Sequence, residues 1–110
     1  MKISCIIPAY NAERFLERAV DSLGATEYPN LEIVIVEDGS KDNTLDVACQ
    51  VVSRLPSMVR LLRHPDHGNH GVSASRNLGI EQCTGQLVCF LDADDSVLTH
   101  RFDTAVDILR

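Results

Sequence analysis

Tryptophan is absent, and only three Phe and two Tyr occur in 110 residues. The core must therefore be aliphatic. Positive charge is scarce as well: ten Lys and Arg stand against sixteen Asp and Glu, a formal net charge of −6. This deficit argues against nucleic acid and against an anionic membrane as partners, because both select a basic face. No apolar run approaches a membrane span, and the first one, in MKISCIIPAY, is interrupted by Pro8 and too short for a signal sequence. The four cysteines, Cys5, Cys49, Cys83 and Cys89, include no C-x-x-C pair and read as reduced, buried thiols of a cytoplasmic protein. No Walker loop, G-x-G-x-x-G turn or nucleophile elbow occurs. That argues against P-loop enzymes and nicotinamide-binding Rossmann domains.

What is present alternates between two periods. Short β-branched runs at 3–8, 31–36, 58–62 and 86–91 predict strands, the third weaker than the others. Between them, apolar residues recur at helical spacing. The first helix is expected to start at Asn11 as N-cap and to stop at Gly24 as C-cap. The second is capped by Asp42 or Asn43 and stopped by Pro56, and the third covers 71–83. Leu98, Phe102, Ala105, Val106 and Leu109 mark a last amphipathic helix. No Gly, Asn or Pro ends that pattern, so the chain is expected to continue into a longer protein. The order βαβαβαβα predicts one α/β domain: a three-layer, Rossmann-like parallel sheet with helices on both faces.

In such sheets ligands bind beyond the carboxyl ends of the strands. Three tips are therefore of interest: Pro8-Ala9-Tyr10-Asn11, Glu37-Asp38-Gly39-Ser40, and Asp92-Ala93-Asp94-Asp95. Tyr10 offers a flat face on which a base can stack, or simply packs on the first helix. Asp38 can accept a hydrogen bond from a base imide, or is a turn-forming Asp before Gly39. Asp92, Asp94 and Asp95 crowd charge that repels itself. A solvated acidic loop would account for them, but so would a divalent cation: Mg²⁺ or Mn²⁺ is often held by one or two carboxylates and substrate phosphates. Arg76, in a run of small residues, can pair with phosphate or with one of these carboxylates. His64, His67 and His70 recur every third residue, but in a Pro- and Gly-containing stretch that reads better as a mobile polar loop than as a metal site.

The segments IIPAYNAERFLERAVDSL, VEDGSKDNT, GVSASRNLGI and LVCFLDADD, in this order and spacing, resemble the GT-A glycosyltransferases of family 2 over essentially the whole chain. The resemblance implies a nucleotide-sugar-binding domain. Pro8, Ala9 and Tyr10 would line the base pocket, Asp38 would accept from the base with Ser40 nearby, and Arg76 would lie near the nucleotide. Asp92 and Asp94 match the D-x-D motif. Asp92 would approach ribose and metal, and Asp94 would coordinate the Mn²⁺ or Mg²⁺ that bridges the diphosphate. Glu37 departs from the more usual Asp but keeps the charge.

The implied reaction is metal-assisted transfer of a sugar, with inversion, from a nucleotide-diphospho-sugar to an acceptor hydroxyl. A UDP-sugar is favoured by family habit, and the acceptor is left open. The general base is expected downstream of residue 110, so residues 1–110 would supply the donor-binding part. A cytoplasmic location is expected, with any membrane association coming through regions outside this chain. The alternative is a non-catalytic nucleotide-binding module of the same fold. A phosphoacceptor signalling domain fits poorly, because the first strand tip carries no carboxylate before Glu13.

Overall fold

Aliphatic runs set the sheet. β1 (Ile3–Ala9), β2 (Leu31–Glu37), β3 (Val59–Arg63) and β4 (Leu87–Phe90) are all parallel, in the order β3-β2-β1-β4. Between them run α1 (Leu16–Gly24), α2 (Thr44–Arg54) and α3 (Val72–Gln82). The computed structural model describes residues 1–94. The predicted last helix and Asp95 lie outside the described residues.

The two central strands are buried throughout, apart from half-buried Pro8, because helices cover both faces. Alternation divides their side chains. Ile3, Cys5 and Ile7 of β1 and Leu31, Ile33 and Ile35 of β2 pack under α1 and α2, against Leu16, Val20, Leu23, Ala48 and Val51. Ile6, Val34 and Val36 face the other way, with Leu78 of α3. The small residues of α3 serve this packing. A Cβ on Gly79 would lie 2.5 Å from Ile6 Cγ2, so the helix backbone sits directly on the sheet.

Two predicted caps are corrected. Asn11 does not cap α1: it adopts φ 49°, which Asn tolerates, and α1 begins at Leu16 after a turn in which Phe15 and Leu16 N–H both donate to Ala12 O. Asn11 instead ties two loops, its N–H donating to Ser40 Oγ (3.0 Å) and its Oδ1 accepting from Lys41 N–H (2.9 Å). Gly24 is the last helical residue rather than a left-handed stop, since Ala25 stays right-handed and the positive φ falls on Glu27. For α2, Asn43 holds the N-cap position without a side-chain bond, and Asp42, one residue earlier, accepts from Thr44 N–H at 2.9 Å. Among the thiols, Cys5 is buried and Cys83 and Cys89 half-buried, but Cys49 is exposed on α2, contrary to the expectation of four buried cysteines.

Glu32 fastens the opposite, amino-terminal pole. Its buried carboxylate accepts from Ser4 Oγ (2.7 Å), Arg60 (2.7 Å), Thr84 N–H (2.9 Å) and Thr84 Oγ1 (3.0 Å), joining β1, β2, β3 and the loop before β4. Burial alone would raise its pKa. The four hydrogen bonds outweigh that and hold it at about 2, below the ordinary 4.5. A depressed carboxylate pKa stabilises the fold above the ordinary value and loses that effect as pH falls through the folded one. Glu32→Gln should therefore cost about 2–3 kcal/mol at neutral pH. Denaturant unfolding at several pH values should show the gap to wild type closing between about pH 5 and pH 2; a gap independent of pH would contradict this.

Candidate functional site

The carboxyl ends of the strands are tied together by backbone. Asp38 N–H donates to Ala9 O (2.9 Å), joining the tips of β2 and β1, and Leu91 N–H donates to Ile6 O (3.0 Å), joining β4 to β1. The sheet order reverses between β1 and β4: the chain steps from β1 through β2 to β3, then returns to pair β4 on the far side of β1. A cavity of about 460 Å³ opens there, within the range of small-molecule sites. Of the predicted site residues, Pro8, Ala9, Tyr10, Asp38, Asp92 and Asp94 line it; Ser40 and Arg76 do not. Ser40 instead holds Asn11, and its own N–H donates to Glu37 Oε1 (2.5 Å). Glu37 also faces Arg63 Nε at 3.5 Å, so its longer side chain spans from the loop to β3.

Asp38 is 3% exposed and fully engaged. Its Oδ1 accepts from His70 N–H (2.7 Å), and its Oδ2 from Gly71 N–H (3.0 Å) and Asn69 Nδ2 (3.1 Å). Asn69 Nδ2 also reaches the Asp38 carbonyl at 3.0 Å. His64 Nε2 lies 3.3 Å from Oδ1. Of the roughly four lone-pair sites of a carboxylate, three are met by hydrogen bonds from residues 69–71, and His64 faces Oδ1 at ion-pair distance. Asp38 thereby folds residues 69–71 against the cavity, and Asn69, Gly71 and Val72 become part of its lining. The sequence reading missed these three, along with Phe15. The signal was available: residues 64–71 follow β3 and so belong to the same rim, but Pro65 and Gly68 made the stretch look loose.

That stretch is bonded rather than loose. His67 N–H donates to His64 O (2.8 Å), Gly68 N–H to Asp66 Oδ1 (2.8 Å), and His70 Nε2 contacts Asp66 Oδ1 (2.7 Å). The His70 contact, with the Gly68 N–H, holds the Asp66 carboxyl below its usual range. The three histidines form no metal cluster among the described residues.

The rest of the rim combines apolar and anionic surface. Tyr10, Phe15 and Val72 line the cavity and keep 44%, 41% and 50% of their surface exposed. Large apolar groups left open beside a cavity are suited to cover a flat ligand. Asp92 and Asp94 are exposed at its other end. Arg76 approaches Asp92 Oδ1 at 3.5 Å and lies over the Phe90 ring, 5.3 Å from its centroid. Its Nε is buried and has no hydrogen-bond acceptor among the described residues. Arg18 donates to the Asp94 carbonyl at 3.3 Å, which fixes the turn that carries the two carboxylates.

A parallel sheet whose reversal point carries a cavity of apolar and anionic lining defines the chain as an open α/β domain with a ligand site at its strand tips. Comparison with known sequences is more specific: residues 4–109 match glycosyl transferase family 2, and the chain belongs to that family. It is 39% identical to an uncharacterized glycosyltransferase of Nostoc sp. over 110 residues, all of this chain and 33% of that protein. It is 30% identical over 103 residues to the GalNAc(5)-diNAcBac-PP-undecaprenol beta-1,3-glucosyltransferase of Campylobacter jejuni, covering 94% of this chain and 33% of that one. The fold matches S. aureus TarS 1-349 in complex with UDP-GlcNAc at a TM-score of 0.84 and 29% identity, over 99% of this chain and 31% of that one. It also matches the mannosyltransferase PcManGT from Pyrobaculum calidifontis, in complex with GDP-Man and Mn²⁺, at a TM-score of 0.84 and 24% identity, over 98% of this chain and 31% of that one. The fold is thus the Rossmann-like GT-A fold. The chain spans about a third of the length of these relatives.

Gly39 is where the two loops of the site touch. It has φ 70°, and a Cβ there would lie 2.5 Å from Asn69 N and from Gly68 C, both backbone. Gly39→Ala should destabilise the protein by about 2–4 kcal/mol, combining a left-handed backbone with overpacking. Thermal or denaturant unfolding measures this, and a loss below about 0.5 kcal/mol would mean that the loops do not meet as described.

Proposed function

We propose that this chain forms the donor-binding part of an inverting glycosyltransferase, and that the cavity between the tips of β1 and β4 receives a nucleotide-diphospho-sugar. One observation carries this reading: an exposed Tyr10 ring, the buried Asp38 carboxylate and the exposed Asp92 and Asp94 carboxylates converge on a single cavity. UDP-GlcNAc bound to TarS, which shares 29% identity over 99% of this chain, supports a uridine donor.

Each residue then has a role its surroundings allow. Tyr10 stacks on the base, with Pro8 and Ala9 beneath. Asp38 already accepts three hydrogen bonds from residues 69–71, so a base N–H that reaches it competes with the Asn69 amide, the one side-chain donor on Oδ2. Ser40 keeps the first and second loops in register through Asn11. Arg76, with its Nε lacking an acceptor among the described residues, turns toward the nucleotide.

Asp92 and Asp94 suit Mn²⁺ or Mg²⁺. They offer hard oxygens, they are exposed to the cavity, and no third ligating side chain joins them among the described residues, which leaves positions for diphosphate oxygens. When bound, the metal would neutralise the charge that develops on the departing nucleoside diphosphate. The cavity-lining groups serve donor binding, and none of them is assigned as the base that deprotonates the acceptor hydroxyl.

Calorimetry with UDP and with GDP tests the proposal. Mn²⁺ should tighten UDP binding by at least about tenfold, and Asp94→Ala should remove that gain. Metal-independent binding that is unchanged in Asp94→Ala would refute the metal bridge. Failure of either nucleotide to bind, with or without Mn²⁺, would refute the donor site.

A further inference from the structure

We infer that His64 is a positioning residue for the nucleotide pocket: its Nε2–H fixes the Asp38 carboxylate, and through it the 69–71 segment that walls the cavity. The inference rests on the donor-site reading above and adds a residue outside the cavity lining.

The geometry leaves His64 one orientation of use. Its ring is buried, 6% exposed, immediately after β3. The same nitrogen, Nε2, lies 3.3 Å from Asp38 Oδ1 and 3.0 Å from Ser75 Oγ. Ser75 Oγ is the hydrogen-bond partner of Nε2, and Asp38 Oδ1 faces the same nitrogen at ion-pair distance. A carboxylate only accepts, so a proton on Nε2 makes that contact attractive, whereas a proton on Nδ1 alone leaves Nε2 to accept from Ser75 and to face the carboxylate with a lone pair. Ser75 is fully buried in the first turn of α3. One ring nitrogen thus joins the tip of β3, the tip of β2 and the start of α3.

Asp38 without His64 would still receive three donors, but all three come from residues 69–71. Those donors are the segment being positioned. Ala9 fixes the Asp38 backbone, and His64, at ion-pair distance, is the contact from outside residues 69–71 that bears on its carboxylate among the described residues. The titratable groups around His64 are Asp38, His70, whose ring centroid lies 4.4 Å away, and Asp66 beyond His70. Both the neutral Nε2–H ring and the imidazolium donate, so the arrangement does not require His64 to be charged.

The test replaces His64 with side chains that carry an N–H at one ring position or the other. Gln places its amide near Nε2, and Asn near Nδ1. Amide hydrogen exchange, without ligand, should show His70 and Gly71 exchanging about tenfold faster in His64→Ala than in wild type, relative to Ile35 in the sheet. UDP binding with Mn²⁺ should weaken by about five- to tenfold in the same variant. His64→Gln should recover both readouts to within about twofold, and His64→Asn should recover neither. Wild-type exchange at His70 and Gly71 in His64→Ala would overturn the inference, as would equal behaviour of the Gln and Asn variants. If His64→Ala does not fold, the Gln and Asn pair decides. If wild type binds no nucleotide, the donor-site reading fails, and the exchange data still decide what His64 does.

Discussion

β1 is hydrogen-bonded on both sides, to β2 from Ile3↔Leu31 through Ala9↔Glu37 and to β4 from Ile3↔Leu87 through Ile6↔Phe90. Everything at the carboxyl rim depends on that double register. A slip of one residue on either side would turn a whole aliphatic set to the wrong face of the sheet. It would also carry Asp38 or Asp92 away from the cavity. Burial enforces the register, since the inward side chains of β1 and β2 are fully enclosed and each is worth about 1.5–3 kcal/mol. The cavity is therefore a consequence of core packing: Tyr10, Asp38 and Asp92 follow closely after strands whose positions are fixed by apolar contacts.

Two buried carboxylates stabilise the sheet at its opposite ends in the same manner. Glu32 gathers donors from three other segments at the amino-terminal pole, and Asp38 gathers donors around the cavity. A buried charge is tolerated when every lone pair is met, and each then fixes several loops at once. The difference is location. Glu32 lines a cleft at the amino-terminal pole, whereas Asp38 lines the cavity at the reversal point of the sheet, beside Tyr10, Asp92 and Asp94. This gives the acidic residue after β2 a structural duty, and a ligand that engages it competes with the hydrogen bonds from residues 69–71.

Much of this was legible in the sequence, for identifiable reasons. Strand positions followed from β-branched runs, and the parallel order from their alternation with amphipathic helices. Asp38, Asp92 and Asp94 could be found because strand tips are where such sheets bind ligands. The helix ends were less legible. Asn11 and Gly24 carry capping chemistry, yet Asn11 is drawn off by a contact with Ser40, twenty-nine residues away in sequence, and local propensity cannot register such a contact. The 64–71 stretch was misread because Pro and Gly suggest mobility. Its order comes from Asp38 and from histidines buried or bonded by tertiary contacts. Arg76 lies off the lining but beside Asp92 and over Phe90, a pairing with a rim carboxylate that its place among small residues allowed.

The central claim is that the rim between β1 and β4 grips a diphosphate through a cation held by Asp92 and Asp94. Paramagnetic relaxation by Mn²⁺ in the presence of UDP reads this directly. The account predicts that amide signals of Asp92, Ala93, Asp94 and Gly71 broaden first, and only when nucleotide and metal are both present. Broadening centred on Asp66 and His70, or on surface carboxylates such as Glu13, with the rim signals unaffected, would contradict it.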